Sequence, residues 1–350
     1  MPLHPYTRYR LRSISTLVVA VGIAGLLFQI AHDQTVSAWG FSLGAALGLL
    51  LGLLEHSRLA ARIGTLPFLA ASLAKAGAYI GIAAAVFLTA GFLAGLFAGK
   101  TLDEFGAYAL SPEAVVQVGF AFVVFLVVVS VRQVNRLLGP GILARYLSGR
   151  YHRPRKAQRI FLFLDLTSST AIAERLGPEN YSAFLQRFYA ELDRPIIDSE
   201  GELFQYVGDE IVMVWTPEKG AEHMNCIRFF FLVERRIAEL KEVFLGRFGV
   251  IPEIKAGLHY GEVLIAEIGS YRKDIAYHGD PINTAARICA TCNQVGARFL
   301  CSADMFTLFS PHHEEFRFTS MGMFNLKGKK KPVGLLSIEQ RHQARSSNHC

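Results

Sequence analysis

The sequence predicts an α-helical membrane domain of about four transmembrane helices, followed by an α+β domain of ferredoxin-like type. Three observations carry this. Hydrophobic residues make up 51% of the 350 residues and mean hydropathy is +0.30, both high for a soluble chain, and the excess falls almost wholly before residue 131. The short loops between the apolar runs alternate in Lys and Arg content, as membrane loops do. Beyond residue 159 strand-like and helix-like stretches follow in the order β-α-β-β-α-β with additions. The chain accordingly divides into a transmembrane part over 1–131, a helical and basic connector over 132–158, a globular domain over 159–340 and a polar tail over 341–350.

A crossing needs about 20 mostly apolar residues. The runs 14–31, 38–54, 67–98 and 114–131 meet or approach this length. Lys75 sits in the third, which is longer than one crossing needs, so the span is expected to begin after it with the amine reaching an interface. Arg8, Arg10 and Arg12 precede the first run, as in a signal peptide, but no small-residue cleavage site stands out and three more runs follow, so it reads as retained. The amino end, the 55–66 loop (Arg58, Arg62) and the final exit (Arg132, Arg136) carry the basic residues. The 32–37 loop has no Lys or Arg, and the 99–113 loop has one Lys against three acids. Both termini and the globular domain are therefore expected on the cytoplasmic side of a plasma (inner) membrane. Gly44, Gly48, Gly52 and Ala83–Ala85 suit close helix packing. The connector has a Gly139-Pro140-Gly141 break and a basic run, which beside a membrane exit suits anionic headgroups.

Net charge is +7. The basic residues cluster at Arg8–Arg12, Arg145–Arg159 and Lys327–Lys331; the first two flank the apolar region, which favours a lipid surface over nucleic acid, and no nucleic-acid-binding module is visible in the sequence. The five cysteines, Cys226, Cys289, Cys292, Cys301 and Cys350, lack the spacing of a disulfide framework. Cys289 and Cys292 form a CxxC in a helical stretch, open to zinc or redox use or to a role as reduced structural thiols.

In the globular part, RIFLFLDL reads as a buried strand ending in Asp165. TSSTAIAERLG caps and begins a helix, Gly177-Pro178 breaks it, and a second helix covers about 179–198. FQYVGDEIVMVW reads as a hairpin about Gly208 and Asp209. One long helix spans about 219–246, IKAGLHYGEVLIAEIG gives two strands around Gly261, and a short strand near 274–278 leads into the loop and helix of GDPINTAARICATCN. In FQYVGDEIVMVW, Gly and Asp suit a hairpin turn and nothing more. The alternative is that Asp209 also binds a cation. In a βαββαβ sheet the strand ending in Asp165 and the hairpin carrying Asp209 can be neighbours. Two carboxylates meeting at a sheet edge repel unless a cation lies between them, and hard oxygen donors suit Mg²⁺ or Mn²⁺. Asn283 and Arg287, four apart at a helix start, share one face. An amide can bond a sugar oxygen, and a guanidinium can offset charge on a phosphoryl group.

FLFLDLTSST, FQYVGDEIV, LHYGEVLIAEIGS and HGDPINTAARI, in this order, resemble the successive motifs of the class III nucleotidyl (adenylate and guanylate) cyclases, membrane-anchored bacterial type, over about residues 159–338. The resemblance implies a ferredoxin-like catalytic domain working as a homodimer, with two divalent cations, Mg²⁺ or Mn²⁺, at sites on the dimer interface. It implies that Asp165 and Asp209 are the metal aspartates, with the backbone carbonyl of Leu166 as a further contact. Asn283 and Arg287 match the residues that hold the ribose and the transition state, and Lys327 the lysine that reaches the triphosphate. Arg272 matches another phosphate contact, with Lys273 as its rival. One departure stands out. The purine-reading pair, Lys with Asp or Thr in adenylate cyclases and Glu with Cys in guanylate cyclases, falls on Gln205 and Ala276. The expected activity is conversion of ATP to cyclic AMP and pyrophosphate, with GTP or dual specificity as the alternative. A nucleotide-binding pseudo-cyclase is a further alternative. A diguanylate cyclase is disfavoured, because VGDEI lacks that family's second Gly and the NxxxR helix is foreign to it.

Overall fold

The computed structural model describes residues 4–33, 38–63, 66–97, 101, 106–107, 111–139, 142–149, 151–271, 273–309 and 315–341. Pro140, Gly141, Arg272 and Cys350, singled out above, lie outside them. The chain divides into two compact units, Met1–Leu138 and Gly139–Cys350, described separately below.

The first unit holds α1 (Pro5–Asp33), α2 (Ala38–Glu55), the short α3 (Arg58–Ile63), α4 (Phe68–Phe97) and α5 (Pro112–Leu138). Four of them, α1, α2, α4 and α5, are long and apolar enough to cross a membrane. The third apolar segment runs Leu73–Leu93. Lys75 thus lies just inside its start rather than ahead of it, because the residues around it keep the window apolar.

Gly44 and Gly48 make the seam between α1 and α2. A Cβ on Gly44 would stand 2.4 Å from the Val21 carbonyl oxygen, and one on Gly48 2.6 Å from that of Leu17. Both distances are inside van der Waals contact, so only hydrogen fits. A small core of Val21, Leu47, Leu51, Tyr79, Ala83 and Phe125 joins the four long helices. At one end of the bundle a polar network does the same. Arg132 on α5 pairs with Glu55 on α2 and donates to Ser13 Oγ on α1 at 2.5 Å, and Tyr79 on α4 donates to Glu55 Oε1 at 3.1 Å.

The second unit begins with α6 (Ile142–Leu147). It continues through β1 (Arg155–Leu166), α7 (Ser169–Ala190), α8 (Asp193–Asp198), β2 (Glu202–Val207), β3 (Glu210–Trp215), α9 (Pro217–Ala221), α10 (Asn225–Glu239) and α11 (Lys241–Phe248). Then come β4 (Ile254–Ile268), β5 (Asp274–His278), α12 (Asp280–Val295), β6 (Phe299–Ser302), β7 (Phe316–Phe324) and β8 (Val333–Gln340). The strands form one sheet in the order β2-β3-β1-β4-β6-β8-β7, with β5 paired to β4. The stretch β2-β3-β1-β4 is antiparallel throughout, the arrangement of a βαββαβ domain.

Side chains alternate across β1. Ile160, Leu162, Leu164 and Leu166 face the core under α7, α10 and α11. Phe161 and Phe163 face a second core with Val212, Val214, Ala285 and Cys289, which α12 covers. α6 also packs there through Ile142 and Tyr146, and Arg145 pairs with Glu202 at 2.6 Å.

Three elements differ from expectation. β4 is one strand, not two, because β1 pairs with it without interruption from Arg155↔Ile265 to Leu166↔Ile254. Gly261 lies within that ladder, where a Cβ would stand 2.7 Å from Pro281 of α12. The helix expected over 219–246 is α9, a 3₁₀ turn, α10 and α11, interrupted where His223 and Met224 take positive φ. The Gly177 break exists as a non-helical residue inside α7 (φ +74), but the helix after it stops at Ala190 and α8 is separate.

Candidate active site

Register brings the two aspartates together. β1 is flanked by β4 on one side and β3 on the other. Leu164 pairs with Ile211, so the same ladder extended sets Glu210 and Asp209 alongside Asp165 and Leu166. Val207 pairs with Glu210 across a two-residue turn. Gly208 takes φ +62 and Asp209 does not turn positive, the glycine-first pattern of a type II′ hairpin. The turn reading of Gly208-Asp209 therefore holds, and the turn also delivers Asp209 to the end of β1.

Lys255 completes this group. It lies opposite Asp165 in the β1–β4 ladder, and its Nζ is 3.1 Å from Asp165 Oδ2, with the lysine side chain only 11% exposed. Burial raises the Asp165 carboxyl above its usual range. Lys255 opposes the rise and Asp209 adds to it. Burial, then Asp165 and Asp209, push Glu210 up to about 7. α7 contributes two phenols. Burial and then Asp209 raise both Tyr181 and Tyr189, and Tyr189 Oη donates to the Gly208 carbonyl at 2.7 Å. The result is a carboxylate-rich cluster with one ammonium.

The donor set fits a hard cation. Two carboxylates press on each other's charge, and a divalent ion between them would relieve what Lys255 relieves for Asp165 alone. Among the described residues no three His, Cys, Asp or Glu side chains converge as a metal cage. Any ion here would rest on the aspartate pair supplemented by backbone, water or substrate oxygens, the usual manner of Mg²⁺.

A second group forms on α12. Asn283 is exposed and Arg287 half-buried. Thr284 Oγ1 donates to the Asp280 carbonyl at 2.9 Å and to its carboxylate at 3.2 Å, and Lys329 pairs with Asp280. Leu326 is buried, and Gly328 turns at φ +73, where a Cβ would stand 3.3 Å from Arg287 Nη2. The β7–β8 turn that carries Lys327 is thus held against Arg287, with Lys327 itself exposed. Gln205 is exposed on β2 and Ala276 half-buried on β5. Their neighbours Phe204 and Tyr277 meet edge to face at 4.9 Å, so two strands that share no ladder come together there. Among the described residues no hydrogen bond or ion pair joins Asp165 or Asp209 to Asn283, Arg287 or Lys327.

Cys289 and Cys292 are buried free thiols. Cys292 Sγ donates to the Ala256 carbonyl at 3.3 Å, and burial pushes its pKa up to about 12. Both serve the packing of α12 on β4.

The sequence reasoning missed Lys255, Glu210, Tyr189 and the Asp280–Lys329 pair. Lys255 stands at the head of β4, a strand that also carries Glu262 and Glu267, so its charge alone did not single it out.

The Adenylate and Guanylate cyclase catalytic domain pattern matches residues 153–337, more than half of the chain and every residue group just described. The chain belongs to the adenylate and guanylate cyclase family. This nucleotidyl cyclase is 29% identical over 342 residues to Adenylate cyclase 2 of Rhizobium meliloti, covering 95% of this chain and 92% of the relative. It is 24% identical over 210 residues to the receptor-type guanylate cyclase gcy-10 of Caenorhabditis elegans, covering 57% of this chain and 19% of that protein. Among solved structures, a bacterial light-regulated adenylyl cyclase superposes with a TM-score of 0.53 at 20% identity, over 64% of this cyclase and 66% of that chain. That likeness concerns the fold of the catalytic unit.

Proposed function

We propose that this cyclase is a membrane-anchored adenylate cyclase that converts ATP to cyclic AMP and pyrophosphate at a homodimer interface. Its catalytic domain would face the cytoplasm. The observation that carries the reading is the meeting of Asp165 and Asp209 at the end of β1, in a chain that aligns almost end to end with an adenylate cyclase. In this reading Asp165, Asp209 and the Leu166 carbonyl would hold two divalent cations. Bound there, such ions would supply the charge that acidifies the ribose 3′-hydroxyl and offsets the triphosphate. Asn283 accepts from or donates to the ribose, and Arg287 sits where charge spreads over the α-phosphate. Lys327 reaches the triphosphate, as does Arg272 or its neighbour Lys273. The 3′-hydroxyl loses its proton to water, its oxygen bonds to the α-phosphorus, and the bond from that phosphorus to the pyrophosphate oxygen breaks, the pyrophosphate leaving with the electron pair.

Base choice rests on Gln205 and Ala276. A Gln amide can donate or accept and so suits either purine, and Ala276 offers no polar atom. The expected ATP preference is therefore small, and Gln205→Lys with Ala276→Asp should raise it. The test is the full-length protein in detergent with Mg²⁺ or Mn²⁺, each nucleotide in turn, and mass measurement of the product. Cyclic AMP as the main product is expected. Cyclic GMP as the main product overturns the adenylate assignment, and no cyclic product from either nucleotide overturns the enzymatic one.

A further inference from the structure

The β2–β3 turn lies at the edge of the sheet. β2 is an edge strand, and Tyr206 and Val207, which lead into the turn, are 45% and 48% exposed. Gly208 has no side chain with which to anchor itself. Yet this turn sets the direction of Asp209, and a ligand carboxylate misplaced by an ångström binds poorly. A contact from outside the hairpin can fix it further.

α7 supplies the holder. Tyr189 stands in its last turn with Oη 2.7 Å from the Gly208 carbonyl oxygen, and its ring lies 4.6 Å from that of Tyr206. One side chain thus touches the strand before the turn and the turn itself. A phenol has one proton to donate. Here the proton goes to the backbone carbonyl, so the tyrosine fixes the peptide without occupying a carboxylate oxygen of Asp209. Phe188, the preceding residue, is buried in the core beneath α7, which keeps this end of the helix from moving with the hairpin.

We infer that Tyr189 is a positioning residue for Asp209, clamping the Gly208 carbonyl so that the turn presents the carboxylate to a divalent cation. The inference rests on the assignment of Asp209 as a metal ligand.

The test uses the full-length protein with Mn²⁺ and 3′-deoxy-ATP, which lacks the hydroxyl that cyclises. Bound and free Mn²⁺ are distinguished by electron paramagnetic resonance. Tyr189→Phe keeps the ring and removes the donor. It should weaken Mn²⁺ binding about three- to tenfold, the range of one lost hydrogen bond, with a melting temperature close to that of the wild type. Tyr206→Leu removes the ring contact and keeps the hydrogen bond, and should leave Mn²⁺ affinity within about twofold. Unchanged Mn²⁺ affinity in Tyr189→Phe overturns the inference. So does an equal loss in Tyr206→Leu, because the ring contact would then be the support. Asp209→Ala separates the two assignments. If it binds Mn²⁺ as the wild type does, the ligand role of Asp209 fails, whatever Tyr189 does.

Discussion

His259 on β4 is buried, with Nδ1 2.7 Å from Ser302 Oγ. Burial, reinforced by the nearby charge of Lys329, lowers its pKa to about 4, while Asp304 and Asp280 pull the other way. An unfolded histidine titrates near 6.5. Between those values the unfolded chain takes up a proton that the native ring refuses. The stability due to neutral His259 is therefore complete above about pH 6.5 and is lost as pH falls toward 4. The full loss is of the order of 3 kcal/mol, from about 1.4 kcal/mol per pKa unit. His259→Asn should melt with a shallower dependence on pH between 7.5 and 5 than the wild type, and parallel curves would refute the effect. Other groups, Asp165 and Glu210 among them, shift in the opposite sense, so the comparison between the two proteins isolates the histidine. Nothing in the motif HYGEV announces this property. It arises from β6 standing beside β4, a long-range pairing that local sequence does not encode. The same holds within the site. Asp165 and Asp209 were legible because each ends an apolar run in a recognisable motif. Lys255 acquires its partner from ladder register, and Tyr189 from the last turn of α7 lying against the hairpin.

Elements were legible where periodicity is strong. The apolar runs became four helices of spanning length, and the hairpin at Gly208-Asp209 formed where the glycine allows it. β4 was misjudged because a glycine inside an apolar run reads as a turn, whereas its cause is the close passage of Pro281. The polar network of the helix bundle was also illegible, since Ser13, Glu55, Tyr79 and Arg132 are far apart in sequence. Ser13 lies near the start of α1, Glu55 at the end of α2, Tyr79 in the first half of α4 and Arg132 near the end of α5. Their meeting fits helices that alternate in direction. Glu55 is 11% exposed and Arg132 26%. Removing one partner strands a largely buried charge, which costs about 3–5 kcal/mol in comparable pairs, while removing both leaves none stranded. Glu55→Leu and Arg132→Leu should therefore each lower the melting temperature of the detergent-solubilised protein. The double variant should recover much of the loss, and strictly additive losses would show that the pair is not coupled.

The whole molecule raises the question of where a complete site forms. One catalytic unit carries the Asp165–Asp209 cluster at the end of β1 and, apart from it, Asn283 and Arg287 on α12 with Lys327 on the β7–β8 turn, and among the described residues no hydrogen bond or ion pair joins those aspartates to these three. Exposed apolar side chains lie on two hairpins, Tyr206 and Val207 leading into the β2–β3 turn and Leu264, Ile268 and Tyr271 along the β4–β5 hairpin, as on a surface that another chain covers. A two-fold pair would set the aspartate cluster of one copy against the α12 group of the next, and would do so twice. Asp165→Ala and Arg287→Ala should each abolish turnover alone. Co-expressed in equal amounts, they assort so that about half the dimers are mixed, and each mixed dimer has one site free of both substitutions. The expected activity is about a quarter of the wild-type value, from two-fold assortment alone. Differential tags on the two variants allow the mixed dimers to be isolated, where half the wild-type activity per dimer is expected on the same count. Inactive mixed dimers would mean that each chain assembles its site from its own Asp165 and Arg287, and the interface assignment would fall while the metal assignment stood.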